Sequence, residues 1–283
     1  MRNMIKTELG KATRNFWFLV ALLVGCALAL TSAINNVNVF EETLIGAAYL
    51  GEHKWWDMSS SSVFKYWIVT DFIQPATFLF FLLLPLLAVL PYAWSYGVEK
   101  KSGYALNVLA RTSRKSYLFA KFLAVFISGG LVITIPIVLN FVFLACIMPA
   151  RLPDIYGIIF FGINERSLFS SFFYTNPLVY CLLFIGLNFF FAGLWAMFTS
   201  ALSFYLKNRV VVTIAPFLFL LFVKFLHDNV LLGILRTEIT PFAFLRGTGT
   251  NYSADIAIVS LILLFLLGFT LVLAWQNRKK DIL

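Results

Sequence analysis

Few residues in this chain have the types and spacing that chemistry needs. Glu41-Glu42 is an adjacent acid pair, the minimum for carboxylate acid–base work. A glutamate-type membrane protease would want an arginine at a set distance beyond it, and Gly46 stands there instead. Solvated surface is the plainer reading of that pair. Ile127-Ser128-Gly129 lacks the leading glycine of a serine-protease turn. The only histidines, His53 and His227, are too far apart for a paired-histidine zinc helix. Cys26, Cys146 and Cys181 show no CxxC or Cys/His spacing and read as small buried hydrophobes. Gly10-Lys11-Ala12 has neither the upstream glycine nor the Ser/Thr of a nucleotide loop, so no cofactor site is expected here. Two groups remain. Lys224, His227 and Asp228 interrupt an apolar run, where ionisable groups mark either a snorkelling helix end or a polar path. The stretch Ser95–Lys121 holds Lys100, Lys101, Arg111, Arg114, Lys115 and Lys121 against the single acid Glu99.

The elements that position these groups are apolar runs. Of the 283 residues, 61% are hydrophobic and only 12% charged. A soluble domain carries about 25% charged residues, so there is too little polar surface to coat a globule. The net charge of +9 does not point to nucleic acid, because the bases cluster beside apolar runs as topology signals do. The expected fold is all-α and polytopic, one domain with six transmembrane helices at about 16–34, 72–94, 122–148, 177–206, 210–226 and 256–275. Residues 1–15 read as an interfacial helix or a frayed basic terminus. An uncleaved first span is preferred to a signal peptide, because the apolar run continues past Ala27-Leu28-Ala29. Residues 35–71 form an acidic outer loop, with Trp55 and Trp56 at headgroup level. Prolines 75, 85 and 91 are tolerated in the second span. Thr237–Tyr252, with Pro241, reads as a short re-entrant or interfacial piece. With both termini cytoplasmic, 15 of the 22 Lys/Arg lie inside and ten of the 13 acids outside, as the positive-inside rule demands.

Within the basic stretch, Tyr104, Leu106, Val108 and Leu109 give an apolar face and Asn107 and Arg111 a polar one, one turn apart. That predicts a short amphipathic helix, followed by Thr112 or Ser113 capping the next helix. A helix, a break and a new helix make a bracket over 97–117.

The layout resembles the permease subunit of a bacterial type-2 ABC exporter. The motif is Glu99-Lys100-Lys101-Ser102-Gly103, then Tyr104–Ala110, then Ser113-Arg114, then Lys121 at membrane entry. Residues 1–15 resemble the family's elbow helix, Leu202–Arg209 its small inner turn, and Thr240-Pro241-Phe242 its outer segment before the last span. The family commonly has a proline before the Ser-Arg step, where this chain has Ala110-Arg111-Thr112. The resemblance implies that Glu99, Lys100, Lys101, Ser102, Gly103, Leu106, Arg111 and Arg114 meet a cytoplasmic ABC ATPase present in two copies. ATP and Mg would be held by that ATPase, and this chain would not itself be an enzyme. It also implies pairing with a second permease copy or paralogue in the bacterial plasma membrane. The load would be hydrophobic or amphipathic, a peptide, drug or lipid, with bacteriocin self-protection as a setting. The alternative is an ion-coupled carrier or accessory membrane protein that uses Lys224, His227 and Asp228.

Overall fold

A computed structural model describes residues 1–50, 62–153, 162–206, 208–231, 235–248 and 252–279, the side chains of 47–50 and 278–279 excepted. The described residues are helical, apart from turns and one isolated bridge between Thr237 and Ser253. The helices are α1 (Arg2–Thr13), α2 (Phe16–Leu50), α3 (Val63–Tyr66), α4 (Pro75–Val89), α5 (Ser95–Lys101) and α6 (Tyr104–Leu109). After them come α7 (Arg114–Ala145), α8 (Ser170–Thr175), α9 (Pro177–Leu202), α10 (Arg209–Asn229), α11 (Pro241–Phe244) and α12 (Ile256–Lys279). Five of these, α2, α7, α9, α10 and α12, are long and apolar enough to cross a membrane; α4 is apolar but shorter.

Side-chain contacts set the direction of each long helix. Asn15, before α2, donates to Pro91 O beyond α4, while Ser32 in α2 meets Thr77 near the start of α4. The two are therefore antiparallel. Asn140, late in α7, donates to Ala29 O in α2, so α7 runs with α2. Tyr180, early in α9, reaches Gly247, and Asn277, late in α12, reaches Tyr96 beside α5. The long helices thus alternate, with α1, α5, α6 and residues 203–206 gathered at one end. Residues 62–71 and α11 lie at the other.

α7 is the central post, packed against α1, α2, α4 and α9, with α12 packed mainly on α9 and touching α7. It approaches α9 closely because Gly129 has no side chain. A Cβ there would sit 2.7 Å from Ala196 Cβ and 3.0 Å from Ala88 O.

Three boundaries differ from the sequence reading. α2 does not stop at Ile34 but runs through Glu41-Glu42, since neither Gly nor Pro intervenes before Gly46. Charge marks where a chain leaves an apolar medium, not where a helix ends. The second span shortens at both ends. Pro75 takes the first helical turn, where its missing N–H costs nothing, and the helix gives way to turns at 90–94 around Pro91. α7 begins at Arg114, as the expected cap requires: Ser113 accepts from Ser116 N–H at 3.3 Å, and the helix starts two turns ahead of the apolar run at Phe122. Cys146 is exposed, not buried, at the end of α7. Trp55, Trp56, Lys207 and Lys280 lie outside the described residues.

Candidate functional site

The basic stretch folds as the bracket its sequence predicts. α5 ends at Lys101, Ser102 follows, and Gly103 adopts φ 75° to start α6 in a new direction. That left-handed backbone suits glycine, which has no Cβ to clash with the carbonyl. Ala105 is buried against Tyr96, Tyr117 and Leu118, with Val108 and Leu109 beside them. The opposite face, with Val98, Lys100, Lys101, Ser102, Tyr104, Leu106 and Arg111, is exposed.

Glu99 does not join that exposed face. Its side chain turns inward, 14% exposed, against Lys121 of α7, whose side chain is 2% exposed. Lys121 Nζ lies 2.5 Å from Glu99 Oε2, and the Tyr117 hydroxyl donates to the same oxygen at 2.5 Å. Glu8 of α1, with a fully buried side chain, lies 3.5 Å from Lys121. Lys11 completes the group, 2.8 Å from Glu8 and 3.5 Å from Glu99. Lys11 also donates to Tyr104 Oη at 2.8 Å, and Tyr92 Oη donates to Glu8 at 2.9 Å. Two ammonium groups and two carboxylates form a buried, formally neutral quartet. Every member has a partner, the condition under which buried charge is tolerated. The quartet fastens the bracket to α1 and α7 at once.

Burial works to raise the Glu99 carboxyl pKa. The Lys121 charge and the bonds from Lys121 and Tyr117 outweigh it and hold the group below its ordinary range. Burial also works to lower Lys11, but its bonds to Glu8 and Tyr104 leave it above the usual lysine value.

The sequence reading had no reason to combine these four residues, because Glu8 and Lys121 are 113 positions apart. One sign was present. Met4, Glu8 and Ala12 share one face of α1, and an acid in the middle of an inward face needs a basic partner. Arg114 sits apart from the exposed bracket face, with its guanidinium donating to Asn277 O near the end of α12.

The second candidate group divides. Lys224 and Asp228 pair at 2.9 Å one turn apart, both partly exposed near the end of α10. His227 faces the other way and is buried. Its Nε2 lies 3.1 Å from Thr237 O, and its Nδ1 is 3.2 Å from Asp228 and 3.9 Å from Glu238. α10 therefore runs on past Leu226, while Lys224 stays at its half-exposed edge. Asp228 thus bridges the exposed Lys224 to the buried His227, and no group of metal-ligating side chains occurs among the described residues.

A third polar centre was not foreseen. Asp71, expected in an outer loop, is buried at the end away from the bracket. Its Oδ2 accepts from Thr77 at 2.6 Å, Asn36 at 3.2 Å and Ser32 at 3.3 Å. Its Oδ1 accepts from the N–H groups of Ile73 and Gln74, fixing the turn that leads into α4. Arg246, just after α11, donates to Asp71 O at 3.0 Å. This centre ties α2, α4 and the α11 segment together, as the quartet ties α1, α5 and α7. The expected re-entrant piece is thus a buried four-residue helix locked against Val69, Tyr180 and Asn188.

Compared with known proteins, the chain matches no family model and no curated relative.

Proposed function

We propose that the chain is the membrane-spanning permease subunit of an ATP-driven exporter of the type-2 ABC class. On this reading α4 completes six spans, both termini and the bracket are cytoplasmic, and the membrane is a bacterial plasma membrane. A separate ATPase, in two copies, docks on α5–α6 and hydrolyses ATP with Mg. A second permease copy or paralogue closes the path for a hydrophobic or amphipathic load.

The observation that carries the reading is the two-sided bracket. Its inner face is fixed through Glu99 to α1 and to the central post α7. Its outer face presents Val98, Lys100, Lys101 and Leu106 to solvent, uncovered by any of the described residues. A lever needs that combination: a surface another protein can push, and stiff connections to the spans it moves. A structured basic hairpin with exposed leucine and valine otherwise has no reason to remain uncovered.

The test is pull-down of the tagged chain from its native membrane in mild detergent, with an ATPase assay. A P-loop ATPase is expected to co-purify. Lys100→Glu and Leu106→Asp lie on the exposed face and should break that association while the chain still elutes as a folded species. A chain that purifies alone, or keeps its partner through both substitutions, overturns the reading.

A further inference from the structure

A groove of about 600 Å³ lies between α7, α9 and α12, at the bracket end of the molecule. Its floor and walls include Phe119 and Phe126 of α7, Met197 of α9, and Leu271 and Trp275 of α12. The hydroxyl of Thr270, also in the lining, is spent on Leu266 O within its own helix. The interior therefore offers apolar contact and no hydrogen bond to a polar ligand. Along α7 the lining runs from Lys115 to Phe126, about 16 Å at 1.5 Å per residue. That is about half the 30 Å hydrocarbon thickness of a bilayer, the depth of one leaflet.

The ends of the groove differ in charge. Lys115 stands at its mouth, exposed and without an ion pair among the described residues. Trp275 lies at the same end, the level where amphipathic rings settle between headgroups and chains. In sequence, Arg114 precedes Lys115, and Arg278-Lys279-Lys280 follows Trp275. The far end, at Phe126 and Leu267, has no charge at all. A one-leaflet slot with a cationic mouth and a closed apolar end complements one molecule type: a lipid with an anionic head and an extended chain.

We infer that this groove binds an anionic glycerophospholipid, its acyl chain between α7 and α12 and its phosphate at Lys115. The bound chain would wedge the last helix against the central post beside the Arg114–Asn277 contact. This inference is independent of the transport reading, since it needs only a membrane whose bracket-side leaflet contains anionic lipid.

The test is native mass spectrometry of the full-length chain in detergent, offered equal amounts of phosphatidylglycerol and phosphatidylcholine. One basic side chain near an anionic headgroup should give about fivefold preference for phosphatidylglycerol. Lys115→Gln should remove the preference while leaving overall lipid retention in place. Ala274→Phe, which fills the groove, should reduce retention of both lipids. If Ala274→Phe does not fold, the Lys115→Gln result decides alone, because that side chain is exposed. Equal retention of the two lipids by the unaltered chain overturns the inference, as does an unchanged preference in Lys115→Gln. Undiminished retention in a folded Ala274→Phe also overturns it. A lipid-free dimer that Ala274→Phe separates would place a second copy of the chain in the groove and overturn it too.

Discussion

Replacing Glu99 by Gln removes one charge from the quartet while keeping the shape of the side chain. Lys121 then loses its nearer carboxylate, at 2.5 Å, and keeps Glu8 at 3.5 Å. Coulomb attraction falls with distance, so Glu99 supplies about 1.4 times the attraction that Glu8 does. Glu8 is also shared with Lys11 at 2.8 Å. The quartet goes from neutral to a net positive charge around an ammonium that is 2% exposed. Breaking one partner of a buried pair costs about 3–5 kcal/mol. Glu99 keeps some solvent contact and Gln keeps the Tyr117 bond, which puts the expected loss near the lower end, about 3 kcal/mol. At about 2–4 °C per kcal/mol, the apparent melting midpoint should fall by about 6–12 °C. The assay is size-exclusion elution of the detergent-solubilised chain after heating at a fixed rate. Lys121→Met alone should lose a similar amount, since it leaves two largely buried carboxylates sharing the single ammonium of Lys11. The double variant leaves only the neutral Glu8–Lys11 pair and should recover at least about 2 kcal/mol relative to the sum of the single losses. A Glu99→Gln midpoint within about 1 °C of the unaltered chain, or strictly additive losses in the double variant, would refute the paired, buried quartet.

The same groups set a pH window. Glu99 is depressed, so its contribution is complete above about pH 4.3, the ordinary glutamate value, and is lost as pH falls through the lower folded value. Lys11 is raised, so its contribution is complete below about pH 10.4 and is lost as pH rises through its folded value. Melting midpoints measured across pH should lose their acid-side decline from this source in Glu99→Gln. Gly103→Ala should cost about 1 kcal/mol through its left-handed backbone alone, because a Cβ there meets nothing within 4 Å; partner-stimulated ATPase activity should fall with it. Gly129→Val forces a Cβ to 2.7 Å from Ala196 and should cost at least about 1–3 kcal/mol, read as loss of monodisperse protein. Asn140→Leu removes the acceptor for Ile68 N–H and the donor to Ala29 O, and should cost about 1–3 kcal/mol by melting midpoint.

What the sequence made legible was what short-range physics decides. Apolar runs located the long helices, and Ser113 marked the start of α7. Side-chain direction was less legible. Nothing local to Glu99 says whether it faces solvent or Lys121, because the answer depends on α1 crossing beneath the bracket. Asp71 looked like loop surface because the other six charged residues of 35–71 (Glu41, Glu42, Glu52, Lys54, Asp57 and Lys65) read as a solvated segment. The adjoining run Tyr66-Trp67-Ile68-Val69 was the missed signal, since it folds inward and carries Asp71 with it. Lys224, His227 and Asp228 are close in sequence, and the i, i+4 spacing of Lys224 and Asp228 made their pairing legible, whereas the burial of His227 against Thr237 and Glu238 depends on a segment ten residues on.

The quartet also changes how the charge pattern should be understood. Counting bases near apolar runs treats each Lys or Arg as a free topological marker. Lys11 and Lys121 are not free. They are paired with Glu8 and Glu99, the two acids among the described residues at the bracket end. The orientation signal therefore rests on the unpaired remainder, such as Lys100, Lys101 and Lys115, which no carboxylate in the described chain neutralises. The two kinds of lysine have different work. The unpaired ones lie outward, where an acidic protein surface or an anionic headgroup can meet them. The paired ones lie inward, and through them a force on the bracket reaches α1 and the central post together. Charge-neutralising the outward set should weaken association and leave the melting midpoint nearly unchanged. Neutralising one inward member should lower the midpoint first, with any loss of association following from the slackened bracket.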